Sequence, residues 1–306
     1  MKKISIIGAA GTLGAAIAFT LANNRKINEL CLIDVKEDVL LNHVMDLQNA
    51  YPYKEIYKGA MEDMKRSGIV IISAGVSNRN TITSRHDFLK DNLKIVKQAG
   101  KNIQQYAPSA LIVTASNPVD ILNYYLFKNF SFKPEQLIGY TMNDSFRFEW
   151  VLRTVLECSE EDTLETPVIG EHGDSQVPVF SKVRKNGQKL ELPTDVYKQV
   201  QKRLLNWFGE YNALKVNRTT GWTTARGMDS VIDKLLSSKP SKMIGSAILH
   251  GEYGIKQVSL GAPLLVNLQG ILEVREWGLT REEQKKYHKS ANLIRGLIEQ
   301  SSDYEY

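Results

Sequence analysis

An alternation dominates the first 140 residues: short runs that are almost wholly apolar are separated by stretches with helical periodicity. The runs are "KISIIGA" (3–9), "LCLIDV" (30–35), "IVIISAG" (69–75), "ALIVTAS" (110–116) and "LIGY" (137–140). Helical patterns cover Thr12–Asn23, a stretch ending near Gln48, and a long segment from about Asp87 to Tyr106. A strand with one wet face would alternate polar and apolar residues, whereas runs apolar throughout must be covered on both faces. The pattern therefore predicts an α/β fold with a doubly wound parallel sheet of five strands, the fourth broken at Asn117-Pro118.

After Tyr140 the strict alternation ends. "DSFRFEWVLRTVLE" predicts a helix starting at Asp144, and "VPVFSKV" turns through Asn186-Gly187 into "QKLEL" as a hairpin. Helices are expected over Thr194–Asn217, after Gly221, and from near Thr280, with "SKMIGSAILH" and "APLLVNLQGI" as antiparallel strands. The expected division is residues 1–140 as one domain and 141–306 as an α+β domain. No Pro/Gly-rich tether separates the two, so they should pack as one body.

Bulk properties exclude several function classes. The 306 residues carry a net charge of +5, but the basic residues are interspersed with acids. The densest basic stretch, "SKVRKNGQK", reads as a solvated hairpin tip, so no nucleic-acid partner is expected. Two lysines followed by an uncharged stretch from Ile4 to Ala22 imitate an export signal. The glycines at 8, 11 and 14 favour a strand–turn–helix instead, and no membrane span is expected. Cys31 and Cys158 read as buried, reduced thiols of a cytoplasmic protein.

Those glycines lie in "GAAGTLG", directly after a strand and opening a helix. Such a turn brings backbone close to a pyrophosphate, and the helix start offers N–H groups and a positive dipole end. Gly8, Gly11, Thr12, Leu13 and Gly14 are thus a candidate dinucleotide cradle. Asp34, twenty residues after Gly14, can bind a ribose diol and would repel a 2′-phosphate, which favours NAD.

Reducing a carbonyl by hydride leaves an alkoxide that needs a proton. His172 in "IGEHGDSQVP" lies between glycines 170 and 173, in a turn suited to facing a cleft. Asp144 is its plausible carboxylate partner, and Arg147 shares Asp144's helix face as a fork for a substrate carboxylate. Taken singly, Asp144 could be a helix cap and Arg147 a surface residue. The polar loop "VSNRNTITSRHDF" carries Arg79 and Arg85 at the carboxyl edge of the sheet, where either could close over a ketone. Asn117 lies at the same edge, placed for the substrate hydroxyl or the nicotinamide end, although Asn-Pro is also a common turn.

Taken together, "GAAGTLG", Asp34, "SAGV", Arg85, "SNPVD", "NDSFR", "GEHGDSQVPV" and "GWTTA" resemble the L-lactate/malate dehydrogenase family in order and along essentially the whole chain. The resemblance implies a Rossmann half followed by an α+β substrate half, usually assembled as dimers or tetramers. It implies His172 as proton donor and acceptor, Asp144 as its orienting carboxylate, Arg85 as the carbonyl-polarising residue and Arg147 as the carboxylate clamp. Asn117 and Thr223 would line the substrate pocket, while Ala74, Gly75 and Asn117 would join the cofactor site. No metal is implied.

The substrate loop is one residue longer than the family spacing. Counted from Gly75, the specificity position is Asn78; counted back from Arg85, it is Arg79. A neutral amide suits pyruvate, whereas arginine suits the second carboxylate of oxaloacetate. The cradle resembles the malate branch, and "GEHGDS" and "GWT" resemble the lactate branch. The expected activity is NAD-dependent L-lactate dehydrogenase, with malate or a broader, branched-chain 2-hydroxy acid dehydrogenase as the alternative. A non-catalytic NAD(H) sensor is the rival of another class; it needs none of Arg85, Asp144, Arg147 and His172. Lactate enzymes activated by fructose 1,6-bisphosphate carry Arg and His where this chain has Glu149 and Glu165, so activation is not expected.

Overall fold

A computed structural model describes residues 3–76, 89–216 and 219–301. Its centre is a run of six parallel strands: β1 (Lys3–Ile7), β2 (Glu29–Ile33), β3 (Glu55–Lys58), β4 (Ile69–Ile72), β5 (Leu111–Thr114) and β6 (Leu137–Gly139). Their spatial order is β3-β2-β1-β4-β5-β6, with the chain reversing direction of travel at β1. Every residue of β1, β4, β5 and β6 is buried, as expected for strands covered on both faces. The cover comes from α1 (Thr12–Ala22), α2 (Glu37–Ala50), α3 (Leu89–Tyr106) and α4 (Val119–Asn129).

The expected five strands are six, because β3 carries no apolar run. In "EIYK" only Ile56 is buried, as suits a short strand at the sheet's edge. Helix α4 was likewise absent from the expectation. Its first half is buried on all sides, from Val119 through Tyr124, so no amphipathic period marks it.

The second half begins with α5 (Met142–Val155), two residues ahead of the expected start at Asp144. Short strands follow: β7 (Leu164–Glu165), β8 (Val168–Ile169), β9 (Val177–Pro178), β10 (Arg184–Lys185) and β11 (Gln188–Lys189). Asn186 and Gly187 both adopt positive φ (53° and 76°), which matches the twist a two-residue hairpin loop needs. Helix α6 (Thr194–Ala213) ends before the expected Asn217, and α7 (Gly221–Leu235) follows. The antiparallel strands β12 (Ser241–His250), β13 (Lys256–Asn267) and β14 (Gly270–Val274) precede α8 (Arg281–Ser301).

These last strands do not form a separate sheet. Ser246 of β12 pairs with Gly139 of β6, so the parallel sheet continues into β12, β13 and β14 as one mixed nine-stranded sheet. The main core runs through both halves. A smaller cluster of Phe148, Val151, Leu152, Val168, Val183 and Val200 anchors α5 and α6. Cys31 is buried, but Cys158 is only half-buried, since it sits just past the end of α5. Among the described residues no helix is long and apolar enough to cross a membrane; the stretch that imitates an export signal is the central strand β1 and helix α1.

Candidate functional site

The carboxyl ends of the parallel strands form one edge, and the described cofactor candidates follow β1, β2, β4 and β5 along it. At β1 the chain turns through Gly8, whose φ is +91° and where a Cβ would collide with the backbone nitrogen of Ala74. At Gly14 a Cβ would collide with the carbonyl oxygen of Gly8, so α1 rests directly on the turn. Gly11 is the N-cap of α1; it and Thr12 are exposed, and Leu13 is half-buried. A helix start thus faces outward from a tight turn, the arrangement that accepts a pyrophosphate.

Asp34 follows β2. Its Oδ2 accepts the N–H of Ala10 (2.9 Å) and its Oδ1 the N–H of Lys36 (3.0 Å). The carboxylate therefore braces the cradle, and an ionised carboxylate keeps lone pairs for a ribose diol. Ala74 and Gly75 follow β4 alongside. The buried Asn92 of α3 accepts the N–H of Val76 (2.9 Å) and donates to the carbonyl oxygen of Asn117 (2.7 Å). Asn117 itself is exposed at the end of β5, in a cis peptide with Pro118. These residues fit a dinucleotide.

Asp144 is buried in the first turn of α5, where Thr141 is the N-cap, so the capping role is excluded. Its Oδ2 lies 2.6 Å from Nδ1 of His172, and its Oδ1 accepts Nη1 of Arg147 at 3.2 Å. One carboxylate thus joins the imidazole and the guanidinium. Arg147 is not a surface residue: its side chain is 9% exposed, and its guanidinium stacks 4.1 Å from the ring centroid of Trp207 on α6. The His172 side chain is 10% exposed.

Of the two flanking glycines, Gly170 has a left-handed φ of +88°. It exchanges two backbone hydrogen bonds with Gly261 of β13 (2.9 and 3.0 Å). The acids of the turn differ in use. Glu171 accepts both the N–H (3.0 Å) and the Oγ (2.5 Å) of Ser175, stapling the turn, whereas Asp174 is exposed.

Sequence reasoning passed over three residues here. Asp120, inside the quoted "SNPVD", is buried and accepts the backbone N–H of His172 (2.8 Å) and the Oγ of Ser246 (2.5 Å). Burial pushes its carboxyl up to about 7, against the pull of the bonds from Ser246 and His172. Trp207 carried no signal beyond its helix. Thr223 lies exposed in the first turn of α7, and Thr220, its N-cap, accepts through Oγ1 from Nδ2 of Asn143 (3.1 Å), the chain neighbour of Asp144. Asn78, Arg79 and Arg85 lie outside the described residues. Among the described residues no group of His, Cys, Asp or Glu could hold a metal ion.

Comparison with known proteins gives two consecutive matches. Residues 2–139 match the lactate/malate dehydrogenase NAD-binding domain, and residues 141–304 match the lactate/malate dehydrogenase alpha/beta C-terminal domain. A malate dehydrogenase of Halobacterium salinarum is 33% identical over 300 residues, covering 96% of this chain and 97% of that protein. An L-lactate dehydrogenase of Corynebacterium glutamicum is 30% identical over 309 residues, covering 98% of each. Among solved structures, L-lactate dehydrogenase from Clostridium thermocellum superposes with a TM-score of 0.84 at 29% identity, covering 98% of this chain and 99% of that one. Cryptosporidium parvum malate dehydrogenase superposes with a TM-score of 0.91 at 26% identity, covering 99% of each.

Proposed function

Because the chain belongs to the lactate/malate dehydrogenase family, NAD-using oxidoreductases, we propose that it interconverts a small L-2-hydroxy acid and its 2-oxo acid, with lactate and pyruvate preferred. The observation that carries this reading is the Asp144 carboxylate shared between His172 and Arg147. Residues 1–140 hold the cofactor, and residues 141–306 supply the proton donor and the clamp.

Gly8, Gly11, Thr12, Leu13 and Gly14 would hold the pyrophosphate, Asp34 the adenosine ribose, and Ala74, Gly75 and Asn117 the nicotinamide end. Held there, NADH would supply the hydride that reduces the 2-oxo group. His172 gives its proton from Nε2 to the developing alkoxide, while Asp144 at Nδ1 fixes the ring and stabilises its charged form. Arg147 receives the substrate carboxylate; the stack on Trp207 and the bond to Asp144 fix the plane of its fork. Arg85 polarises the carbonyl, and Thr223 and Thr220 line the pocket.

Preference for pyruvate rests on the neutral Asn78 as specificity residue. The second reading, malate and oxaloacetate, is favoured by Arg79 next to it and by the 33% identity to the Halobacterium malate dehydrogenase. Glu149, paired with Arg153 (2.9 Å), and Glu165 are acids where a bisphosphate would need cations, so no activation by fructose 1,6-bisphosphate belongs to the proposal. Assembly as a homodimer or homotetramer is supported by two exposed apolar side chains, Phe19 and Trp222, that line a cavity of about 740 Å³.

The test is NADH oxidation with pyruvate, oxaloacetate and 2-ketoisocaproate on wild type, Arg79→Gln and His172→Asn. Wild type should turn over pyruvate best, and His172→Asn should lose nearly all turnover while binding NADH as before. Faster oxaloacetate reduction that Arg79→Gln selectively removes would establish the malate reading instead. Near-normal turnover by His172→Asn would refute the whole assignment.

A further inference from the structure

Three elements tie down the turn that carries His172. Gly170 is bonded to β13 through Gly261, and the Glu171 N–H donates to Ser290 Oγ on α8 (2.7 Å). Those two bonds hold the turn's shoulder. The third reaches the histidine itself: its N–H donates to Asp120 Oδ2 on α4 (2.8 Å).

A backbone N–H asks only for an acceptor, and a carbonyl oxygen would serve. A carboxylate only 2% exposed is an expensive choice, because burial penalises its charge. Here the second oxygen is braced as well. Asp120 Oδ1 accepts Ser246 Oγ (2.5 Å), Ser246 Oγ lies 2.8 Å from Ser259 Oγ, and Ser259 Oγ accepts Asn123 Nδ2 (3.0 Å). The network spans α4, β12 and β13, so Asp120 cannot swing without breaking buried bonds. It also lies three residues after Asn117, on the junction that presents Asn117 at the carboxyl edge.

We propose that Asp120 is a positioning residue: its carboxylate sets the location of the His172 imidazole relative to the Asn117 edge. The junction 117–120 then holds the nicotinamide-side residue and the proton donor in one rigid frame, independently of Asp144, which orients the ring. This rests on the reading of His172 as proton donor.

The experiment compares Asp120→Ala and Asp120→Asn in the full-length enzyme, with turnover counted per NADH-binding site. Misplacing a reacting group by about 1 Å costs on the order of a hundredfold, so Asp120→Ala should lower kcat by about that factor, with NADH affinity within about twofold. Its solvent deuterium isotope effect on kcat should rise, because proton transfer becomes slower than the other steps. Asp120→Asn should recover most of the turnover, since its amide oxygen can still accept the His172 N–H while Nδ2 donates to Ser246. Should Asp120→Ala fail to fold, Asp120→Leu removes the acceptor at similar volume and faces the same expectation. Unchanged kcat and isotope effect in the Ala or Leu variant overturn the proposal, as do equal losses in Asn and Ala. His172→Asn separates the premises: if that variant turns over normally, the reading of the site has failed, whereas if it is inactive and Asp120→Ala is normal, only the positioning role has.

Discussion

Two carboxylates, the half-buried Glu29 and the buried Asp144, stand at opposite edges of the same sheet, each shared by two partners. At the amino edge, Glu29 takes Lys3 Nζ at 2.8 Å and Tyr57 OH at 2.8 Å; at the carboxyl edge, Asp144 takes His172 Nδ1 at 2.6 Å and Arg147 Nη1 at 3.2 Å. Both pairs are largely enclosed, with side-chain exposures of 7% for Lys3 and 12% for Glu29 against 10% for His172 and 4% for Asp144. The partners differ in chemistry. Lysine and tyrosine keep their protons at neutral pH, and burial with the bond to Glu29 pushes the Tyr57 phenol well up. Imidazole is the side chain whose ordinary ionisation lies near neutrality. The frames differ as well. Lys3 and Glu29 face each other across paired strands, a placement set by β1–β2 register, whereas His172 hangs on a turn that three elements tie down. One cluster fastens strands together, while the other, in the proposed reading, exchanges a proton with the substrate.

That contrast is sharpest in Asp144→Asn. Replacing the carboxylate leaves the imidazole without its charge partner, and turnover should fall about a thousandfold, about 4 kcal/mol of barrier. Steady-state rates with calorimetric melting check it: a similar loss of stability without loss of turnover would make Asp144 a fastener like Glu29.

The matching change at the other edge is Lys3→Met, which leaves the half-buried Glu29 carboxylate with Tyr57 alone. It should cost about 3 kcal/mol of stability and leave kcat per folded molecule unchanged. Denaturant unfolding together with rates tests it. Lys3→Met combined with Glu29→Leu should restore most of the loss, because a buried ion pair replaced by apolar side chains is close to neutral. If the double variant is no more stable than Lys3→Met, the pair is more than a fastener.

Legibility in the sequence follows the same divide. Strands β1, β4, β5 and β6 announced themselves because burial on both faces leaves few polar positions, and β3 did not because only Ile56 is buried. Helix α4 escaped notice because its buried first half has no wet face to impose a period. Lys3 looked like the flank of an export signal, yet it is 6% exposed, since its partner is set by strand pairing that composition cannot display. His172, Asp144 and Arg147 were legible as residue types fitted to one reaction. Asp120 was not, because its contact is with a backbone N–H 52 positions away, which no side-chain chemistry marks. Trp207 was missed for a similar reason: a stacked aromatic in a helix looks like any core residue until its guanidinium partner is seen.

The smallest expected effect concerns pH, where Glu29 and Asp120 should act with opposite signs. Burial raises Glu29, but the bonds from Lys3 and Tyr57 outweigh it and hold its carboxyl below the usual range. Its contribution is therefore present above the unfolded value near 4.5 and fades as pH falls through the lower folded value. Asp120 is raised from 3.8 to about 7, so the folded chain binds more protons than the unfolded chain between those values. Its contribution is present below the unfolded value and is lost as pH rises toward about 7. Between about pH 6 and about pH 8 this should lower stability by on the order of 1 kcal/mol, a slope that Asp120→Asn removes and Lys3→Met leaves in place. Urea midpoints across that range measure it. A wild-type slope that persists in Asp120→Asn would assign the titration to another group and leave the carboxylate at position 120 ionised throughout.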